Sequence, residues 1–282
     1  MNRAGLEKTG VALLAVLAAT GCLILAFILV TVWLRGAPVL DWEFVTTASS
    51  GFGHAGGVRY QILGTTLLMT GAALLCLPVA LGSVLFQTEF LRSPRLKKSV
   101  RSLIYSLNAV PTILFGLMGY IVFGVLLDTG VSWWTGTLIL AVMILPTLHV
   151  SLLEAVESIP VPYREAGLAL GLTPGQLIRS VILPHSFYGL VTGTLLGLAR
   201  AAGETAAILF TATVFSGVTV PQSLAEPVTT LQTHILVLAQ EAIDPEAVAQ
   251  AWGAAFVLLM GVMFLIALAL VIRTRLSMEA QR

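Results

Sequence analysis

Glu165-Ala166-Gly167-Leu168-Ala169-Leu170-Gly171, then nine residues, then Val181-Ile182-Leu183-Pro184, is the stretch on which the reading of this chain turns. It lies between the fourth and fifth of a series of long apolar segments. Pro162 suits a first helical position, where its missing N–H costs nothing. Residues 163–170 then make roughly two helical turns, and Gly171 supplies the stop. Thr173 is a good N-cap, and Gln176 stands where a capping box wants it. Pro184 closes the unit before the fifth apolar segment. The result is a compact pair of short helices carrying Leu168, Leu170 and Leu172. Such a surface is buried by docking a helix into a partner's groove, or by folding on itself or on the membrane surface. The residues alone leave both open.

Outward from this stretch the chain is apolar. Of 282 residues, 57% are hydrophobic and only 10% charged, and the mean hydropathy is +0.95. Soluble domains carry about 25% charge, so the sequence describes an integral membrane protein. A spanning helix needs about 20 apolar residues. Six segments qualify, near 11–34, 63–89, 103–127, 135–156, 187–214 and 252–272. They are too long for strands and lack a two-residue alternation. The first is also too long for the apolar core of a signal peptide and is read as an uncleaved helix. Pro78, Pro111 and Pro146 fall inside segments two to four and predict kinks. Cys22 and Cys76 sit in apolar runs and read as packing residues.

The net charge of +1 says little; its distribution says more. Arg92, Arg95, Lys97, Lys98 and Arg101 lie between segments two and three, and Arg164 and Arg179 between four and five. Arg273, Arg275 and Arg282 follow segment six, and Arg3 and Lys8 precede segment one. In an alternating six-helix topology these twelve share one side. The other side has Arg35 and Arg59 among several carboxylates. The positive-inside rule puts both termini in the cytoplasm, and the 92–101 cluster reads as a topology anchor. The loop at 35–60 is glycine-rich and expected to be flexible. The outer loop at about 215–251 holds a short helix near 228–238, lying at the outer face or dipping in.

One cation is left, Arg200, thirteen residues into segment five. That is about 20 Å along a helix, too deep to reach either surface. Glu204 follows one turn later on the same expected helix. An intramembrane arginine is expensive, and such residues face a bundle interior or a wet path. The pair reads either as a structural ion bridge or as part of an anion route, since a guanidinium offers planar donors suited to oxyanions. Gly189, Gly193, Gly197 and Ala201 recur every fourth residue and let another helix approach closely. The stripe fits packing within one subunit or between two.

The opening stretch, Glu165-Ala166-Gly167-xxx-Gly171 to Val181-x-Leu183-Pro184, is similar to the coupling loop of ABC importer permeases. That family prefers alanine where this chain has Gly167, a change that loosens a helix by about 1 kcal/mol. Asn108-Ala109-Val110-Pro111-Thr112-Ile113-Leu114-Phe115-Gly116 and Leu198-Ala199-Arg200-Ala201-Ala202-Gly203-Glu204-Thr205-Ala206 resemble segments of the phosphate-specific (Pst) transporter permeases, the latter in the form of the A-type subunit. The family often has proline where this chain has Ala207. The resemblance covers residues 60–275.

The resemblance implies an all-α membrane protein of six transmembrane helices, the type I importer permease bundle, in a bacterial cytoplasmic (inner) membrane. It divides the chain into an N-terminal helix and periplasmic loop (1–58), a permease core (59–275) and a cytoplasmic tail (276–282). Implied partners are cytoplasmic ATPase subunits, a second permease of the C type and an external phosphate-binding protein. Glu165, Ala166, Gly167, Gly171, Leu183 and Pro184 would couple to the ATPase, and Arg200, Glu204 and Thr205 would line the substrate pathway. No G-x-x-x-x-G-K-[ST] loop is present, so ATP hydrolysis is expected on a separate chain. The four histidines lack metal spacing, and no cofactor, metal, catalytic residue or nucleic-acid surface is expected. The alternatives are a permease for molybdate, tungstate or sulfate and, from another class, a stand-alone anion channel.

Overall fold

A computed structural model describes residues 3–214, 220–241 and 244–279. The expected outer-loop residues 215–219 and the tail residues 280–282, including Arg282, lie outside them. The long helices are α1 (Arg3–Gly36), α3 (Arg59–Leu85), α6 (Trp133–Glu157), α9 (Leu183–Ala202) and α12 (Pro245–Glu279). Shorter ones are α2 (Trp42–Thr46), α4 (Pro94–Leu107), α5 (Thr112–Gly119), α7 (Val161–Ala169), α8 (Pro174–Leu177), α10 (Ala206–Thr211) and α11 (Leu231–Gln240). Among the described residues, five helices are long and apolar enough to cross a membrane, or six if one bent pair counts as a span.

That bent pair corrects the third expected segment. Residues 103–127 do not form one helix. Helix α4 ends at Leu107, and α5 with the π-helical Tyr120–Leu126 leaves at 93°. The break falls at Asn108 to Pro111, because proline bars the preceding residue from helical backbone. Pro78 and Pro146, by contrast, stay inside α3 and α6. The fifth segment is corrected too. Expected over 187–214, it stops at Ala202, Gly203 closes it, and α10 restarts at Ala206. At its other end it is longer than expected. Pro184 does not close the loop unit: α8, the π turn Ile178–Ile182 and α9 run on as a single span, Pro174–Ala202. Proline in the first turn of α9 lacks only an N–H that the π register does not demand.

Helix α6 is the axis of the bundle. Two thirds of its apolar span (67%) is buried inside the chain, against none for α1 and 11% for α12. Leu68, Cys76, Leu140, Ile144, Leu148 and Ile208 fill the middle. Val84, Leu152, Val156, Leu177 and Ile182 fill the end nearest α7. The bare apolar flank of α1 needs no protein cover, since lipid is as apolar as leucine. Cys22 lies on that flank and is exposed, not packed; Cys76 is buried as expected.

The glycine stripe packs inside the chain. A Cβ at Gly193 would lie 2.8 Å from the Ser151 Cβ, and those at Gly189 and Gly197 would run into Ala155 and Leu148. All three partners are on α6, so the stripe seats α9 against α6.

The glycine-rich loop at 35–60 is more structured than expected, with a helix and a hairpin. It carries α2, capped by Asp41, whose Oδ1 accepts from the Phe44 N–H at 2.6 Å. A two-residue hairpin follows, Ser49–Ser50 with Ala55–Gly56. Next to it His54 Nδ1 meets Asp244 Oδ2 at 2.7 Å and Nε2 meets Glu241, tying this loop to the α11–α12 corner. Helix α11 starts three residues later than expected and dips inward, with Leu231 and Leu238 buried.

Candidate functional site

Two places concentrate the residues that the sequence singled out. The first is at mid-bundle. Arg200 stands in the last turn of α9, where a cation suits the negative helix end. Its Nη1 donates to Asn108 Oδ1 at 3.1 Å and to Thr147 Oγ1 at 3.3 Å. Asn108 comes from the α4–α5 break and Thr147 from the turn after Pro146 in α6. Glu204 is not on the same helix face as expected, because α9 has ended. It sits in the link to α10, and its Oε1 lies 4.0 Å from Arg200 Nε. Glu204 is 13% exposed and Arg200 36%, so the guanidinium is open on one side. Its Nη2 has no protein partner among the described residues.

Two broken helices therefore meet here. Gly116 of α5 lies against Ala207 of α10, where a Cβ would come within 2.9 Å of the Ala207 Cα. The free carbonyl of Ala202 accepts from Gln232 Nε2 of α11 at 2.6 Å. Backbone that leaves the helix inside a membrane is tolerated where protein seals it or a wet cavity borders it. Here Gln232 seals one flank and Arg200 borders the other. Thr205 begins α10 with no side-chain capping bond and is not drawn to Arg200. The residues at 108–116 and 198–206, quoted separately above, thus form one site. Thr147 and Gln232 were missed. Thr147 had one available signal, a hydroxyl beside a proline inside an apolar span.

The second place is the helix pair at the opposite end of α9. Helix α7 ends in two bonds, Leu172 N–H to Gly167 O at 3.1 Å and Gly171 N–H to Leu168 O at 2.9 Å. This is a Schellman stop, and Gly171 takes the φ of +78° it requires. Helix α8 opens with the expected capping box of Thr173 and Gln176. Gly167 is buried because α8 presses on it: a methyl there would lie 2.7 Å from Leu177 Cδ1. Glu165, Ala166, Leu168 and Leu170 face outward, Leu170 at 83% exposure. Leu172 is half-buried. Leu183 and Pro184 lie in the first turn of α9, where the neighbouring His185 ring meets Tyr163 of α7 at 5.3 Å.

Leu177 packs the pair against Val84 and Leu152, Tyr163 meets the His185 ring of α9, and an ion pair adds a polar tie. Arg164 Nη1 bonds Glu89 Oε1 at 2.6 Å, and its Nη2 donates to the Val156 carbonyl at 2.8 Å. Glu89 lies in the π turn Phe86–Phe90 that ends α3, only 10% exposed. The sequence reading missed it, although a carboxylate at the end of an apolar span is itself a signal. Nearby, Arg101 Nη2 meets Glu157 Oε1 at 2.8 Å and pins α4 to the same end of α6.

Comparison with known proteins identifies the family and the fold. The family described as binding-protein-dependent transport system inner membrane component matches residues 78–278. A probable ABC transporter permease protein, YqgI of Bacillus subtilis, is 28% identical over 274 residues, 93% of each chain. A probable phosphate transport system permease protein, PstA of Methanocaldococcus jannaschii, is 36% identical over 234 residues, 82% of this chain and 81% of that one. Among solved structures, a chain of a bacterial alginate ABC transporter in complex with its periplasmic protein superposes with a TM-score of 0.60. The two are 16% identical over 94% of this chain and 92% of that one, a likeness of fold.

Proposed function

The chain belongs to the binding-protein-dependent transport system inner membrane components, and on that premise we propose that it is the A-type permease of an ATP-driven inorganic phosphate importer. The observation that carries the substrate reading is the guanidinium of Arg200, steered by Asn108 and Thr147 with Nη2 unspent. Planar N–H donors match the oxygens of a tetrahedral anion. The PstA relative supports phosphate among the oxyanions. Glu204, beside the guanidinium, weakens any hold on an anion and so favours passage over storage.

In this reading the α7–α8 pair faces the cytoplasm, as do both termini, and meets a separate ATPase through Glu165, Ala166, Leu168 and Leu170. Gly167 and Gly171 give the pair its shape, and Leu183 and Pro184 join it to α9. A C-type permease pairs with this chain, and an external phosphate-binding protein delivers the anion. Nucleotide must bind the inward-facing and outward-facing forms unequally, and the pair transmits that difference.

The test is radiolabelled phosphate uptake into vesicles holding the complete complex, with and without ATP, in the presence of molybdate, tungstate or sulfate. ATP-dependent uptake that phosphate alone competes for is the expected result. Stronger competition by another oxyanion would replace the substrate. Full-speed uptake by the isolated chain would make it a channel.

A further inference from the structure

We propose that the seam between α6 and α9 below Arg200 is the release route for the oxyanion, and that Arg273 forms a second anion station at its mouth. The proposal rests on reading Arg200 as part of the anion path. On α9, Tyr188, Thr192, Leu196 and Arg200 each stand one residue before a member of the small-residue stripe and so flank its contact with α6. On α6, Thr147, Ser151, Glu154 and Ser158 follow at intervals of four, three and four. The helices run antiparallel, since Gly189, Gly193 and Gly197 meet Ala155, Ser151 and Leu148 in reverse order. The two faces therefore flank the same side of the seam, and the Arg200–Thr147 bond marks its upper end.

One turn below that bond a cavity of about 370 Å³ opens. Ser151, Glu154, Ser158, Thr192 and Arg273 give it polar groups, and Ala155, Tyr188, Gly189 and Leu196 complete the wall. The other side of the seam is apolar, closed by Val84, Leu148, Leu152 and Val156. Polarity confined to one side of a helix pair within a membrane marks a wet path. Thr192 and Ser158 satisfy their own protons, donating to the carbonyls of Tyr188 at 2.7 Å and Ala155 at 2.8 Å. Their hydroxyls thus stay in the wall without demanding a ligand. Arg273 and Glu154 bring opposite charges to the cavity, and neither makes an ion pair among the described residues. The guanidinium draws an anion down from Arg200, and the carboxylate keeps it from staying.

The experiment places a single cysteine at Thr192 or Ser158 in the complete transporter, with Cys22→Ser and Cys76→Ala as background. Inside-out vesicles are then treated with anionic and cationic methanethiosulfonate reagents. The expected result is labelling from the cytoplasmic side, about tenfold faster for the anionic reagent, as a charged cleft concentrates counter-ions. Arg273→Gln should remove that preference. Inert cysteines at both positions, equal rates for the two reagents, or a preference that survives Arg273→Gln would each overturn the route. Added phosphate should slow the anionic reaction. Protection by sulfate or molybdate but not phosphate would leave the route standing and end the phosphate reading instead.

Discussion

The α7–α8 pair and the Arg200 centre sit at opposite ends of one helical span, and they are built in opposite ways. The pair is made almost entirely from neighbours in sequence. Thr173 and Gln176 cap each other, Gly171 turns the chain, and Gly167 admits Leu177. The pair's long-range ties are few: Arg164 reaches Glu89 and Val156, Leu177 packs on Val84 and Leu152, and Tyr163 meets the His185 ring. The Arg200 centre has little that is local. Its members come from positions 108, 147, 200 and 204, and each stands at or beside a break or a proline. A unit with internal wiring keeps its shape when pushed. A unit assembled from four separate pieces changes when any of them shifts. The contrast fits a handle at one end and a responsive gate at the other.

The contrast can be broken or sharpened by substitution, and the largest effect is expected at the gate. Arg200→Ala should lower phosphate uptake at least about 100-fold, the scale of one lost charge-assisted anchor of about 3 kcal/mol. Copurification of the partner subunits should be unchanged. If the complex falls apart instead, the residue is structural and the contrast fails. Next is the handle's anchor. Arg164→Ala leaves Glu89 with its charge and costs about 2 kcal/mol. ATP hydrolysis should continue while uptake falls, and the charge swap Arg164→Glu with Glu89→Arg should recover part of the coupling. Gly171→Val comes third. Its φ of +78° costs a β-branched residue about 1–2 kcal/mol, with no clash nearby. Uptake per ATP hydrolysed should drop, with insertion into the membrane intact.

The His54 clasp is a third region, and it resembles the gate in being long-range. Hydrogen bonds that the His54 ring donates to Asp244 and then to Glu241 raise its pKa above the ordinary value. Its stabilising contribution is therefore complete below about pH 6.5. It fades as the pH climbs through the raised value. Asp244 is shifted the other way, first by the Glu246 N–H and then by His54, so its contribution is lost only in acid, below about pH 3.9. Melting of the complex with His54→Gln should differ from the unsubstituted form near pH 6 and converge with it in alkali. The smallest effect belongs to Gly167→Ala. The gain of about 1 kcal/mol in helix propensity is set against a shift of Leu177, a flexible end. Uptake within twofold of normal would confirm that the handle tolerates local repacking.

This same division decided what could be read in advance. Capping residues, a positive-φ glycine and twenty-residue apolar runs act over short stretches, so the handle and spans one, two, four and six were legible. The break at Gly203 was not, because Gly-Glu-Thr inside an apolar run becomes a stop only when Gln232 takes the Ala202 carbonyl. The right-angle turn at Asn108 to Pro111 looked like a kink for the same reason. The glycine stripe announced a close neighbour without saying which. Glu89 became meaningful only beside Arg164, 75 positions away.

Because α8 flows through its π turn into α9 without a joint, Gln176 and Arg200 are fixed to a common pole. Twenty-four residues separate them, about 36 Å of rod. Rocking that pole by 5° about its midpoint would swing each tip by roughly 1.5 Å. A displacement of that size is enough to stretch the Asn108 and Thr147 bonds beyond reach. The guanidinium could then be unlatched by torque alone, with no rearrangement travelling residue by residue along the way.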